Sequence, residues 1–426
     1  MATVKGRIDY DKIVREDRLH ASIYYDPEIF DDEMEKIWHK GWVYVGHESE
    51  VAEPGDYITK KLGLQPVIMS RDETGQIHLL FNRCLHRGNT VCQSEHGSAF
   101  NFRCAYHGWT YSNNGDLIGV TQRDAYTDEQ LAELKGLAHV ARVSNYGGFV
   151  WGSLSPDGPS LEEHLGPGGR WAIDALNALS PKGKVEITGG GLKHRYRANW
   201  KMLYEAQVDG YHPFYAHQSI LEGRADMRGT RGEGGADNRP IGLRYLGNGH
   251  TTLELDQAAR ATGRMFTWLG KVPEELSKNY VAAMEELHGP EKARDILMTG
   301  PPHVNIWPNL MLAEMNLFII QPVAADRSIQ LDQPIFIKGV PELKERILRW
   351  TEGAVGPAGF LLADDGEMFQ RNFRGFQARS PEWVLLNRGM HRESVDEHGY
   401  VGGYSADDAH YRRFWGHYRQ IMNQPN

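Results

Sequence analysis

The stretch Cys84-Leu85-His86-Arg87-Gly88, followed after a short interval by Cys104-Ala105-Tyr106-His107-Gly108-Trp109, presents two thiols and two imidazoles on a pair of similar turns. Four such donors can close one metal site. Zinc accepts two Cys and two His tetrahedrally, and a [2Fe–2S] centre with two thiolates on one iron and two imidazoles on the other needs the same inventory, so ligand count alone leaves both open. The flanks favour iron–sulfur. Gly88 and Gly108 let the backbone approach closely, and Arg87, Tyr106 and Trp109 can pack on the sulfides and donate hydrogen bonds to them. Imidazole in place of two thiolates raises the reduction potential to about −150 to +300 mV, from about −400 mV, which suits a mild one-electron donor. Cys92, between the two halves, has no partner at ligand spacing and reads as an ordinary packed thiol, and His96 carries no assignment.

Around this pair, from Gly41 to Ser155, short segments rich in Val, Ile, Tyr, Phe and Trp alternate with Gly and Asn-Gly turns, for example Trp42–Gly46, Gln65–Ser70, Ile77–Asn82 and Gly148–Ser153. That pattern predicts a small all-β domain over 41–155. Before it, Ile29, Phe30, Met34, Ile37 and Trp38 recur at helical spacing behind Pro27, so residues 1–40 form an N-terminal helical segment, expected to pack on the larger domain. After it, the turn-rich Ser155-Pro156-Asp157-Gly158-Pro159-Ser160 marks a boundary, and 156–426 reads as a larger α+β domain. Its strand candidates are Val185–Thr188, His194–Arg197, Thr251–Leu255, Leu310–Pro322 and Ser328–Ile337; Leu203–Ser219, Pro273–His288 and Pro341–Glu352 read as helices. Gly223–Gly249, dense in Gly, Arg and Asp, is a candidate lid or access loop.

A second constellation lies in Asn199-Trp200-Lys201-Met202-Leu203-Tyr204-Glu205-Ala206-Gln207-Val208-Asp209-Gly210-Tyr211-His212-Pro213-Phe214-Tyr215-Ala216-His217. Five positions apart on an ideal helix, His212 and His217 diverge by about 140°, so their convergence on one metal requires a bend, which Pro213 can cause. Two histidines and one carboxylate make the facial triad with which non-haem Fe(II) keeps coordination positions open. The adjacent acids Asp364 and Asp365, behind the apolar Phe360-Leu361-Leu362, can supply that carboxylate from a helix. Asp209, three residues before His212, is placed to accept the proton on that histidine's second nitrogen.

Together these motifs resemble the large (alpha) subunit of Rieske non-haem iron aromatic-ring-hydroxylating oxygenases, and look most like the benzoate, toluate and anthranilate dioxygenase subunits. The likeness extends through Gly148–Ser153 and Ser160–Leu165 to the C-terminal Tyr411–Met422. It implies a Rieske [2Fe–2S] domain held by Cys84, His86, Cys104 and His107. It implies too a helix-grip, START-like catalytic domain in which helices cover an antiparallel sheet, with mononuclear Fe(II) on His212, His217 and Asp365. Asp365 is chosen by register with the family's acid-rich pattern, and Asp364 is the alternate. The resemblance further makes Asp209 the electron link to a neighbouring subunit's Rieske histidine, in a homotrimer or an α3β3 assembly with a small beta subunit. The activity it implies is insertion of dioxygen into an aromatic ring, cis-dihydroxylation of an aromatic carboxylate or related arene. Monooxygenation or demethylation is the alternative, and a non-catalytic iron–sulfur or zinc protein the remote one.

Ala206 departs from the Asn frequent in the family and is expected to change the pocket. Glu205, Asn199 and Tyr211 are candidate pocket residues, and Arg195, Arg197, Arg224 and Arg228 are candidate carboxylate anchors. With no Gly-x-Gly-x-x-Gly dinucleotide fingerprint, electrons are expected from a separate ferredoxin, an NAD(P)H-dependent reductase, or both.

Composition sets the outer bounds. Lys and Arg number 47 against 56 Asp and Glu, a formal charge of −9 without a basic block, which argues against nucleic acid. Three cysteines in 426 residues make no disulfide framework, and no signal peptide or apolar membrane span stands out, so a cytoplasmic location off the membrane is expected.

Overall fold

The computed structural model describes residues 8–188, 190–219, 242–255, 260, 262–270, 272–356 and 358–425. Two compact units form, one from Trp38–Leu161 with Glu186–Thr188, the other from Met1–Ile37, Glu162–Val185 and Gly189–Asn426. The smaller unit is built of short antiparallel strands. Ile77–Phe81, Gln65–Arg71, Asp56–Leu62 and His96–Ser98 make one sheet; Arg142–Tyr146, Phe149–Ser153 and Val43–His47 a second; Asn101–Arg103, Thr110–Ser112 and Leu117–Gly119 a third. Ile68, Leu80, Phe102, Trp109 and Tyr111 form one buried cluster with Cys84 and Cys104, so the candidate metal-ligand loops are rooted in the core.

In the larger unit nine antiparallel strands run in the spatial order Leu192–Tyr196, Arg327–Pro334, Asn316–Ala324, Leu310–Ala313, Val304–Ile306, His250–Glu254, Gly242–Gly247, Val401–Tyr404 and Ser394–Val395. The expected single strand Leu310–Pro322 is in fact a hairpin. The chain reverses at Glu314 and Met315, both at positive φ (51° and 60°), a turn made without the Gly or Asn that announces one. Of Gly223–Gly249, Gly242–Gly247 is sheet rather than loop, and 223–241 lie outside the described residues. No described helix is long and apolar enough to cross a membrane.

The C-terminal helix Ala409–Met422 buries Phe414, Trp415, Tyr418 and Met422 on one face. Its Tyr418 hydroxyl donates to Glu33 Oε1 at 2.6 Å, and Trp200 Nε1 donates to Glu33 Oε2 at 2.8 Å. Lys201 Nζ lies 2.6 Å from the same carboxylate, and both charged side chains are 0% exposed. Deleting one partner of a fully buried pair strands the other charge. Lys201→Ala is therefore expected to destabilise the protein by about 3–5 kcal/mol, read as a lower denaturation midpoint; a midpoint equal to the parent's would refute it.

Candidate metal centres

The two cluster loops are one backbone motif used twice. In each, the Cys N–H donates to the carbonyl five residues on, Cys84 to Asn89 and Cys104 to Trp109, both at 2.8 Å. The glycine N–H returns to the Cys carbonyl, Gly88 to Cys84 and Gly108 to Cys104, both at 2.9 Å. Both glycines sit at φ +72°, which a side chain rarely tolerates, and a Cβ on Gly108 would stand 2.8 Å from Thr121. The loops leave Cys84 and Cys104 buried and the imidazoles of His86 and His107 farther out, with ring centroids 4.5 Å apart. Trp109 stacks flat on His86 at 5.0 Å. Tyr111 Oη lies 3.2 Å from Cys84 Sγ, and Asn89 Nδ2 donates to Cys104 Sγ at 3.6 Å. Burial opposes ionisation of Cys104, but the N–H groups of Tyr106 and His107 and the Asn89 amide bring its thiol below the ordinary value. His86 Nδ1 is buried with no hydrogen-bond partner among the described residues. An orphaned ring nitrogen beside two buried thiols, that of Cys104 inclined to ionise, fits a metal cluster.

The second centre depends on a broken helix. The expected helix Leu203–Ser219 is two pieces, Trp200–Ala206 and the single turn Pro213–Ala216. The break precedes Pro213 rather than falling on it. Gly210 N donates to Ser405 O at 3.1 Å, and a Cβ at Gly210 would stand 2.6 Å from Ser405 Cβ, so only glycine lets the chain turn there. Pro213 then opens the short turn, which sets His212 and His217 at its two ends instead of on opposed helix faces. Asp209 braces this turn with both oxygens. Its Oδ1 accepts from Tyr211 N at 2.7 Å, and its Oδ2 lies 3.3 Å from His212 Nδ1.

Asp365 comes from helix Leu362–Gly375, buried in its first turn, with Oδ1 3.3 Å from Nε2 of both His212 and His217. Asp364 is instead 3.5 Å from His217 Nδ1, on the far side of that ring. The donor atoms of His212, His217 and Asp365 all lie within 4.8 Å of one another. Burial disfavours charge here, yet the Asp209 and Asp365 carboxylates raise the pKa of His212 to about 10, and the two imidazoles lower Asp365 to about 2. Such a field holds a positive charge between them, and this donor set fits a divalent cation.

These residues border a cavity of about 310 Å³ whose other walls include Leu253, Met311, Phe318, Leu361, Leu362 and Phe369. Ala206 lines it, as expected. Asn199, Glu205 and Tyr211 are not among its lining residues. Asn199 caps helix Trp200–Ala206 and donates to Ala325 O, and Tyr211 lies under the Arg388 guanidinium. Arg195 and Arg197 are exposed and line no part of it; Arg224 and Arg228 lie outside the described residues. Polar groups that spacing did not reveal, Gln207, His303 and Gln330, do line it.

Glu205 instead accepts from Tyr24 Oη (2.8 Å) and Trp415 Nε1 (2.6 Å), and burial raises its pKa to about 7. A folded-state pKa above the unfolded value of 4.5 means the native state keeps a proton that the unfolded chain loses. Its contribution to stability is thus full below about pH 4.5 and declines up to about pH 7. Glu205→Gln, neutral throughout, is expected to flatten that decline in the thermal midpoint; an unchanged slope would refute the assignment.

Comparison with known proteins identifies the families of both domains. Residues 41–138 match the Rieske [2Fe-2S] domain family, and residues 163–424 match the ring hydroxylating alpha subunit (catalytic domain) family. The chain is 29% identical to a 2-halobenzoate 1,2-dioxygenase large subunit of Burkholderia cepacia, over 91% of this chain and 83% of that one. It is 35% identical to the N,N-dimethyl phenylurea N-demethylase subunit alpha of Sphingobium sp. (strain YBL2), over 68% of this chain and 62% of that one. A naphthalene 1,2-dioxygenase mutant solved with phenanthrene superposes with a TM-score of 0.80 at 27% identity, covering 98% and 96% of the two chains. A domain of short β-sheets carrying two Cys and two His, followed by a catalytic sheet with a two-histidine, one-carboxylate set, accords with these matches: the chain belongs to the ring-hydroxylating alpha-subunit family, the large, terminal-oxygenase subunits of Rieske non-haem iron oxygenases.

Proposed function

We propose that His212, His217 and Asp365 hold the mononuclear iron, that Cys84, His86, Cys104 and His107 hold the [2Fe–2S] cluster, and that the cavity receives an aromatic carboxylate or related polar arene. The observation carrying this is the convergence of three donor atoms within 4.8 Å on the wall of a largely apolar cavity. Bound there, the cluster supplies single electrons and the iron supplies the dioxygen chemistry that side chains lack. The protein's part is placement. Leu253, Met311, Phe318 and Phe369 hold a ring in apolar surroundings, and three protein ligands leave the remaining coordination positions free. Asp209 Oδ2 keeps the proton of His212 on Nδ1, so that Nε2 is the ligating atom.

In this reading Asp209 also links the iron site to a cluster histidine of a neighbouring subunit, within a homotrimer or an α3β3 assembly, in the cytoplasm. A ferredoxin, a reductase, or both deliver the electrons. The test is turnover of a panel of benzoates, salicylates, anilines and unsubstituted arenes with reconstituted reductase, NADH and labelled dioxygen. Both oxygen atoms in a cis-dihydrodiol are expected; single-oxygen products throughout would reject dihydroxylation. Those products would favour a second reading, monooxygenation or N-demethylation, which the 35% identity to the phenylurea demethylase subunit supports.

A further inference from the structure

One set of polar groups on the cavity wall is wired in a single direction. Asp332 is buried, and its Oδ1 accepts from Gln330 Nε2 at 2.9 Å. Gln330 has therefore committed its amide nitrogen to the carboxylate, and its Oε1 faces Gln207, whose Nε2 donates to it at 3.0 Å. That fixes the Gln207 amide with its Oε1 left over, buried and without a hydrogen-bond partner among the described residues. The main-chain carbonyl of the same residue accepts from His303 Nε2 at 2.7 Å. With the ring proton on Nε2, His303 Nδ1 is an acceptor, and it too is buried and unpartnered among the described residues. Gln207, Gln330 and His303 all line the cavity. Tyr196, which also lines it, has an unpartnered hydroxyl, but a hydroxyl can donate or accept and so does not discriminate.

Two buried acceptors with nothing to accept from are costly, and a ligand that satisfies them gains what water would otherwise supply. We propose that Gln207 Oε1 and His303 Nδ1 select an arene bearing a hydrogen-bond donor, an N–H or O–H on or next to the ring, as in an aromatic amine, anilide or phenol. This deepens, and rests on, the reading of the cavity as the oxygenase pocket. Gln207 and His303 act by binding and orientation, since the donor they hold fixes which ring edge is presented to the His212, His217 and Asp365 side.

The experiment compares near-isosteric probes on the holoenzyme by calorimetric titration without electron donor: aniline and phenol against toluene, and acetanilide against N-methylacetanilide. Iron and sulfide are quantified on the same samples. The donor-bearing member of each pair is expected to bind about tenfold or more tightly. Gln207→Met with His303→Phe is expected to abolish that preference while retaining iron, sulfide and toluene binding. Equal affinities within every pair, no binding of either member of any pair, or a preference that survives the double substitution would each overturn the proposal. Iron missing from the parent protein would count against the metal-site reading instead, whereas a lost preference at full iron content bears on Gln207 and His303 alone. If the double variant misfolds, His303→Phe alone, which leaves the Gln207–Gln330–Asp332 chain in place, must weaken the preference, and a preference kept in full there also overturns the proposal.

Discussion

Asp365→Ala is expected to purify with its Rieske absorbance intact, without mononuclear iron, and with turnover reduced by more than about 100-fold. Losing a residue that only supports a ligand already costs about 10–100-fold in metal affinity or activity, and Asp365 is proposed as a ligand itself. The neighbouring acid provides the control. The Asp364 side chain is 41% exposed and reaches only the Nδ1 of His217, whereas that of Asp365 is 9% exposed and faces both Nε2 atoms. Asp364→Ala should thus keep its iron and lose no more than the supporting-residue range. Metal analysis beside the visible spectrum checks both, and the opposite pattern, iron lost with Asp364 and kept without Asp365, would exchange the roles of the two acids.

The second large effect belongs to Asp209. Burial opposes its charge, but the bond to His212, the nearby imidazole of His410 and the Tyr211 N–H hold its carboxyl below the ordinary range, so it stays ionised. Asp209→Ala removes the brace on His212 and, in the proposed assembly, the bridge to the neighbouring subunit. The expected result is turnover lowered by at least about 100-fold with cluster absorbance and most of the iron retained. Single turnover separates the two jobs. A chemically reduced cluster mixed with oxygen and substrate should stay reduced in the variant if the bridge carries the electron. Reoxidation at the parent rate would leave Asp209 as a positioning residue only.

How much of this was legible from sequence depended on how local each determinant is. Cys84 to Trp109 declares its chemistry because all four donors and both permissive glycines fall in one stretch. The His212 and His217 pair was legible as a problem, since an unbroken helix could not bring the two together. Its solution lay at Gly210 and Ser405, nearly two hundred residues apart. The Glu314–Met315 turn was invisible because neither residue type favours positive φ; the pairing of Leu310–Ala313 with Asn316–Ala324 imposes it. The pocket acceptors were hidden for a further reason. Gln207 has a defined direction only through Gln330 and Asp332, and no spacing rule links a helix end to a strand far along the chain. Arg195 and Arg197, attractive as carboxylate anchors, flank Tyr196, which lines the cavity; strand alternation carries their side chains to the other face.

The doubled loop around the cluster bears on speed as well as structure. Cys84–Asn89 and Cys104–Trp109 are each closed by the same two main-chain hydrogen bonds, so the polar surroundings of the two sulfur atoms are fixed before any charge arrives. A site that does not rearrange when it is reduced or oxidised imposes little nuclear reorganisation on electron transfer. With Cys84, His86, Cys104 and His107 as the proposed ligands, no ligand would need to move for an electron to enter or leave, and transfer would be set by distance and driving force.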